Sequence, residues 1–473
     1  MELTVSMKQP AAATAPTAGS VAQIGARLDR IPINRFHVRL TCMLGAGTFM
    51  DGFDGISIAV VLAAIVSALH ISLSTASFIV TGDYVGQFLG TLIVGALGER
   101  IGRRNAFVLC LITMGLMSLL TAISWNATSL LIFRFVQGFG LGAEVPLAAT
   151  LINEYLSARK RGRISMVYQS LAGWGMLAAP LIALLLTTTV GFQDAWRYMW
   201  GVGALPVIIG VYAWFRLPES ARWLAGRGRL AEAAALVDQV EDIARRKGDV
   251  LAEPEVVAEP ARQDFRIGEF LRGMYRKRTL MLWALWFCAS FVTYTCVGWL
   301  PTLYIRLGGA SPSESLAITS GIGLLSVPMA LLAGVWIDRF GRKPVFVVSF
   351  VLMIVGALVG FLGTGLFHWA TLPTLAVAGL VIAVGSPLVG APLWVYTAEL
   401  YPTRMRGWAT SASSAMSRAA SIVSPLIVGA MLAANGGAPA IFAATLACAV
   451  IGLIVMAVMG VETKSRSLEE IAP

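Results

Sequence analysis

Apolar stretches of about 20 residues follow one another along most of the chain, separated by short polar punctuation. A helix rises about 1.5 Å per residue, so a stretch of this length crosses the roughly 30 Å hydrocarbon core of a bilayer. The pattern predicts twelve such helices, segments 1 to 12, at 38–68, 77–98, 105–125, 128–153, 163–188, 197–216, 278–305, 315–337, 344–366, 371–398, 407–433 and 438–460.

The punctuation repeats. GERIGRR at Gly98–Arg104 returns 239 residues later as IDRFGRK at Ile337–Lys343. EYLSARKRGR from Glu154 returns 245 residues on as ELYPTRMRGW from Glu399, and LPES at Leu217–Ser220 is matched about 243 residues on by GVETKSRSLEE at Gly460–Glu470. Three pairs at nearly one offset imply a duplicated chain, each half built on one plan of membrane segments. The expected fold is an all-α membrane protein with twelve transmembrane helices in two pseudo-symmetric six-helix bundles, an architecture used by secondary transporters. The expected divisions are a tail (1–36), a first bundle (37–216), a linker with a surface helix (217–277), a second bundle (278–460) and a second tail (461–473).

Composition agrees with that plan. The chain is 57% hydrophobic and 13% charged, against roughly 45–50% and about 25% in soluble domains. Its net charge of +10 would suit a nucleic-acid partner, but the placement of the charge argues against one. The loops after segments 2, 4, 8 and 10 hold Arg100, Arg103, Arg104, Arg159, Lys160, Arg161, Arg163, Arg339, Arg342, Lys343, Arg404 and Arg406; the opposite loops hold little beyond Arg197 and Arg306. That bias orients the basic loops and both termini to the cytoplasm of a cell or inner membrane. Residues 1–36, rich in Ala, Thr and Pro, read as a disordered tail without a signal peptide. The five cysteines lie inside apolar segments without metal-type spacing and read as reduced packing residues, and the Asn126 sequon reads as a chance match. The linker carries an Ala-rich surface helix predicted over Leu230–Arg246, set against lipid or the bundle, and no phosphate-binding loop that would suggest nucleotide-driven transport.

Ionisable residues inside spanning helices are costly and mark functional sites by default. Segment 1 carries Asp51 and Asp54, whose spacing of three puts both carboxylates on one helix face. Two such groups in a low dielectric do not both ionise cheaply, which suits them to take and release a proton; a capping or kink role beside Gly52 and Gly55 is the plainer reading. Segment 4 carries Arg134 and Glu144, with glycines at 138, 140 and 142 for close helix approach and Pro146 to bend the helix. Arg134 fits a latch or a coupling role, and Glu144 fits contact with substrate or proton. Asp83 on segment 2 fits gating or simple solvation. In segment 11, Ser411, Ser414, Arg418, Ser421 and Pro425 form one polar stripe at helical spacing. An Arg there suits an anionic substrate held bidentately, or an ion pair with an acid of segment 1 or 4. Gln169, Trp174, Tyr294, Trp299, Trp394 and Tyr396 are further candidates for the substrate wall. The histidines fall at segment ends, so carboxylates must carry any coupling.

From about residue 35 to 470 the chain resembles a major facilitator superfamily transporter. The GERIGRR and DRFGRK boxes are similar to that superfamily's loop motif, with Glu99 where Asp is usual, and Arg134 with Gly138 resembles its helix 4 motif. PESAR and ETKSRSLEE resemble the sugar-porter branch. DGFD with an Arg in segment 11 resembles the aromatic acid:proton symporters, and GAEVP with NEYLSARKRGR the niacin and metabolite:proton symporters. The resemblance implies proton-coupled uptake of a small organic carboxylate, benzoate- or nicotinate-like, by a monomer using no cofactor and no metal; a sugar or polyol:proton symporter and a phosphate or organic anion porter are the alternatives. It also implies a gate at the basic boxes, built from Gly98, Glu99, Arg100, Gly102, Arg103 and Arg104, their counterparts Asp338, Arg339, Gly341 and Arg342, and Glu154, Arg161, Glu399 and Arg406. Enzymatic activity has no support.

Overall fold

The computed structural model describes residues 21–156, 158–254, 267–369, 371–434 and 437–464. Among these, twelve spans are long and apolar enough to cross a membrane. The first half holds α2 (Arg35–Ala68), α3 (Leu73–Ile101), α4 (Arg103–Ala122), α5 (Ala127–Tyr155), α6 (Ala158–Thr189) and a sixth span broken into α7 (Phe192–Val202) and α8 (Leu205–Arg216). The second half holds α11 (Gly273–Arg306), α12 (Pro312–Phe340), α13 (Arg342–Gly365), a span broken into α14 (Thr371–Gly385) and α15 (Pro387–Glu399), α16 (Thr403–Ala433) and α17 (Gly437–Met459). The α14–α15 break falls at Ser386-Pro387, inside the GSPLVGAP stretch.

Local chemistry fixes several helix starts. Asn34, Ser72 and Asn126 each place a side-chain oxygen on a backbone N–H of the first turn, the usual remedy for orphan donors there. Asn126 of the sequon is thus the cap of α5. Glycines let α3 and α5 cross closely: a Cβ on Gly86 would meet the Phe135 carbonyl, and one on Gly142 the Gln87 carbonyl.

The paired boxes turn out to be one device built twice. Gly102 and Gly341 sit at φ +102° and +98°, where only glycine is comfortable. Each opens a helix whose first amides point at a carboxylate from a distant box. Glu219 accepts from the amides of Arg103 and Arg104 at 2.9 and 3.1 Å; Glu462 accepts from Arg342 and Lys343 at 3.0 and 2.9 Å. The arginine side chains complete the pattern, Arg103 on Glu99 at 2.7 Å and Glu154 at 3.4 Å, Arg342 on Glu399 at 2.7 Å and Asp338 at 3.6 Å. Gly98 packs against Leu147, the Arg104 side chain reaches the Trp214 carbonyl, and Arg100 and Arg339 are exposed. The side chains of Arg161 and Arg406 lie outside the described residues.

The N-terminal segment departs from the expectation of a disordered tail. Val21–Arg30 is a helix, α1, and docks on α10 (Leu230–Arg246), the linker helix that the sequence predicts. Arg27 and Arg30 pair with Glu241 at 2.9 and 2.7 Å, and Glu241 is 1% exposed. Its amphipathic face (Ile24, Leu28) explains the helix: too short to read as an apolar segment, it gains its stability from a partner 200 residues away.

On the face opposite the basic loops the halves meet closely, with Gly429 of α16 against Ser77 of α3. The Glu462 cap gives a stability test. Burial opposes ionisation of Glu462, but hydrogen bonds from the amides of Arg342, Lys464, Lys343 and Thr463 outweigh it and hold the carboxyl below its ordinary range. A depressed carboxylate contributes stability above its unfolded pKa, about 4.3, and loses it as pH falls through the folded value. Glu462→Gln should therefore cost about 1–2 kcal/mol near neutral pH, read as thermal unfolding in detergent. The gap from wild type should close on acidification below about pH 4; a gap independent of pH would show that the charge plays no part.

Candidate functional site

A cavity of about 860 Å³ lies between the halves, within the range of small-molecule sites. Ile56 of α2, Phe88 of α3, Pro146 of α5 and Leu177 of α6 face Trp286 and Tyr294 of α11, Trp394 of α15, and Ser411, Ser414 and Arg418 of α16. Trp286 and Trp394 meet edge to face at 4.7 Å, and Tyr294 meets Tyr84 of the other half at 5.2 Å. The lining of α16 begins at Thr410, within two turns of its start on the basic-loop side, so the cavity reaches toward that face.

The polar stripe of α16 divides its labour. Ser417 accepts a hydrogen bond from Ser290 of α11 at 2.8 Å, and Ser421 donates back to the Arg418 carbonyl at 2.8 Å. Ser414 and Arg418 reach the cavity. Among the described residues Arg418 has no carboxylate in ion-pairing reach; its Nη1 donates to the Gln87 amide oxygen at 2.5 Å. A half-buried guanidinium whose donors are held by one neutral acceptor keeps most of its fork for another group.

Arg134 is the opposite case. It has no exposed surface and lies 4.4 Å over the Trp200 ring. Nη1 donates to Asp54 at 3.0 and 3.2 Å and to Gln137 at 3.0 Å, while Nη2 donates to Asp83 at 2.7 Å. Asp54 and Asp83 are 2% and 1% exposed. Of the two roles open to Asp83, solvation is excluded by this burial. Asp51, one turn before Asp54, is half-buried and makes no hydrogen bond or ion pair among the described residues; Arg418, Asp54 and Asp83 act on it through space. The two acids of α2 thus share a face but not an environment.

Glu144 is fully buried in the first half and does not line the cavity. Its partner is the Thr48 hydroxyl at 3.1 Å, itself 2.6 Å from the Tyr168 hydroxyl. Substrate contact, one of the roles expected for Glu144, does not fit this placement.

Three of the aromatic candidates fall elsewhere for reasons of helical phase. Gly173 and Leu177 line the cavity, which turns Trp174, 47% exposed, away from it. Cys296 and Leu300 line it, which sends Trp299 into the core. Tyr396 packs on Phe346, donates to the Val461 carbonyl at 2.8 Å and accepts its amide at 2.9 Å, fastening the chain after α17. The Gln169 side chain lies outside the described residues. Tyr294, Ser414 and Arg418 lie together on the cavity wall. The candidate list lacks Gln87, Trp286 and Ser290, whereas Trp394, which it holds, lines the cavity. Gln87 was within reach: a lone amide one turn after Asp83 in an apolar segment is the same signal that singles out Asp83.

Twelve spans in two like halves around a shared cavity define a multi-pass membrane transporter of the major facilitator type. The chain belongs to the sugar (and other) transporter family, whose profile matches residues 40–473. It is 30% identical over 453 residues to the niacin transporter NiaP of Acinetobacter baylyi, covering 94% of this chain and 98% of that one. It is 28% identical over 396 residues to the 4-hydroxybenzoate transporter PcaK of Pseudomonas aeruginosa, covering 82% and 84%. Its fold is similar to the inward-open conformation of the xylose transporter XylE from E. coli, with TM-score 0.72 and 20% identity, covering 92% of this chain and 99% of that one.

The Arg134 cluster carries a direct test. Arg134→Leu strands two carboxylates in the first half, and losing one partner of a buried ion pair costs about 3–5 kcal/mol. The variant should melt well below wild type in detergent, with Arg134→Lys between the two. An unchanged melting temperature would show that the cluster does not hold the bundle.

Proposed function

We propose that the protein carries a small aromatic or heteroaromatic carboxylate inward across a bacterial inner membrane, together with a proton, by alternating access. The observation that carries the reading is Arg418, the cation on the cavity wall that among the described residues has no acid in ion-pair contact. A guanidinium fork matches a carboxylate bidentately, and a charge left unpaired at that depth is expensive unless a substrate completes it. The Trp286, Trp394 and Tyr294 rings offer apolar faces and edges for the body of such an acid. The names of the two relatives, a niacin and a 4-hydroxybenzoate transporter, point the same way. A sugar site would draw on amides, and among the described residues the cavity wall has hydroxyls and rings instead.

Proton coupling follows from the charges around the cavity. Asp51, Asp54 and Asp83 stand against Arg134 and Arg418. A bound carboxylate adds a negative charge beside Arg418 and weakens its hold on Asp51, so substrate and proton favour each other's binding. Asp54 is committed to Arg134; Asp51, with no fixed partner, is the group we assign to carry the proton. By the bias of basic residues the cavity side is cytoplasmic, so the conformation described faces inward, and the boxes with Glu219 and Glu462 belong to the gate.

Uptake into proteoliposomes of nicotinate, benzoate, 4-hydroxybenzoate, phosphate and xylose tests the class. The acids should be taken up under an inward proton gradient; a preference for xylose or phosphate would replace the reading. Arg418→Ala should lower nicotinate or benzoate binding in detergent at least tenfold, with little recovery in Arg418→Lys, and wild-type affinity in Arg418→Ala would remove the docking role. Asp51→Asn should keep exchange of the acid across the membrane and lose accumulation, because exchange needs only the loaded carrier to turn over. Normal accumulation by Asp51→Asn would move coupling to Asp54 or Glu144.

A further inference from the structure

The Arg134 cluster and Arg418 belong to different halves of the molecule, and one neutral side chain touches both. Gln87 of α3 is 5% exposed. Its Oε1 accepts from Arg418 Nη1 at 2.5 Å and its Nε2 donates to Asp83 Oδ2 at 3.3 Å, the same oxygen that takes Arg134 Nη2. A continuous line of hydrogen bonds thus runs Asp54–Arg134–Asp83–Gln87–Arg418, crossing from the first half to the second at the Gln87 amide.

We propose that Gln87 is the positioning residue through which substrate docking on Arg418 is felt by the buried acids of the first half. This rests on the carboxylate reading given under Proposed function. The amide is the one side-chain group that fits both neighbours. Arg418 has only donors to offer, so an oxygen must face it; the Asp83 carboxylate only accepts, so an N–H must face that. One orientation of a glutamine satisfies both, and the placement leaves it no alternative. Glu would keep the acceptor toward Arg418 and set a like charge against Asp83. Met would keep the length and lose both bonds.

Backbone packing fixes the stretch of α3 that carries the amide. Cβ atoms on Gly138 or Gly142 of α5 would collide with the backbone of Gln87 or its neighbours, so α3 is seated directly on the helix that carries Arg134. A carboxylate arriving at Arg418 competes for the Nη1 proton that Gln87 now holds. Release of the amide then frees the bond that ties Asp83 to the second half, and the two events become one step. Without Gln87 the substrate can still dock on Arg418, but the acid cluster no longer registers it.

The test compares two transport modes in the same proteoliposomes, with nicotinate and benzoate as probes. Gln87→Met and Gln87→Ala should keep counterflow exchange within about threefold of wild type and lower proton-driven accumulation at least tenfold, so the accumulation-to-exchange ratio falls. A merely structural role would lower both modes together and leave that ratio unmoved. Gln87→Glu should pair internally with Arg418 and raise KM for exchange at least tenfold. A wild-type ratio in both Gln87→Met and Gln87→Ala overturns the inference while leaving the docking role of Arg418 intact. Failure of the wild-type protein to exchange either acid overturns the carboxylate reading, and this inference with it.

Discussion

A guanidinium among apolar helices needs partners to stay there, and among the described residues Arg134 has acids in contact while Arg418, on the cavity wall, has an amide. Arg134 takes Asp54 from α2, Asp83 from α3 and the Gln137 amide from its own helix, which welds three spans of the first half into a unit. The arrangement is costly to break, because either partner alone is an uncompensated charge. Arg418 stands on the other side of the cavity with an amide where an acid would be expected. The rest of the site is arranged around that difference: Arg134 has its acids in place, and Arg418 presents donors to the cavity.

The duplication gives the two halves one construction. Gly102 with Glu219 and Gly341 with Glu462 are the same construction, a left-handed glycine that lets a helix start under a carboxylate delivered from the end of the half. Helix N-termini favour negative charge, so each carboxylate binds the loop before its helix to the last elements of its own half. Arg103 and Arg342 then extend the clamp sideways to Glu154 and Glu399. These contacts stay within a half. Between halves the structure offers the Ser77–Gly429 approach on one face, the Tyr84–Tyr294 contact in the middle and the Gln87–Arg418 bond beside it. Between them α3 also packs along α16, α2 along α11 and α6 along α12, so rigid-body rocking would slide these helix pairs on one another.

Much of this was legible in the chain. Segment count and placement followed from apolar run length, because lipid leaves helices few alternatives. The repeat offsets picked out the paired boxes before their partners were visible, and the cost of buried charge picked out Asp51, Asp54, Asp83, Arg134 and Arg418. Pairing was not legible. Spacing put Asp51 and Asp54 on one face, and nothing in it told that Arg134 takes Asp54 rather than Asp51. Aromatic residues carry no such cost signal, and helical phase decides their fate: Trp174, Trp299 and Tyr396 miss the cavity by a fraction of a turn, while Trp286 and Trp394 reach it. The α1 helix escaped for another reason, since its stability comes from Glu241 in the linker, beyond any local window.

The same electrostatic logic limits what the cavity can accept. A neutral substrate would leave Arg418 as it stands, bonded to Gln87, and would give the acids on α2 and α3 no reason to change protonation. An anion alters the balance on both sides of the amide at once, because the field of Arg418 reaches Asp51 directly and Asp83 through Gln87. Coupling in the proposed mechanism therefore needs no separate proton path to the substrate: the linkage is reciprocal by thermodynamic necessity, and one shared cation supplies it. A carrier of this design would discriminate first by charge and only then by shape, with the tryptophan pair refining a choice that Arg418 has already made.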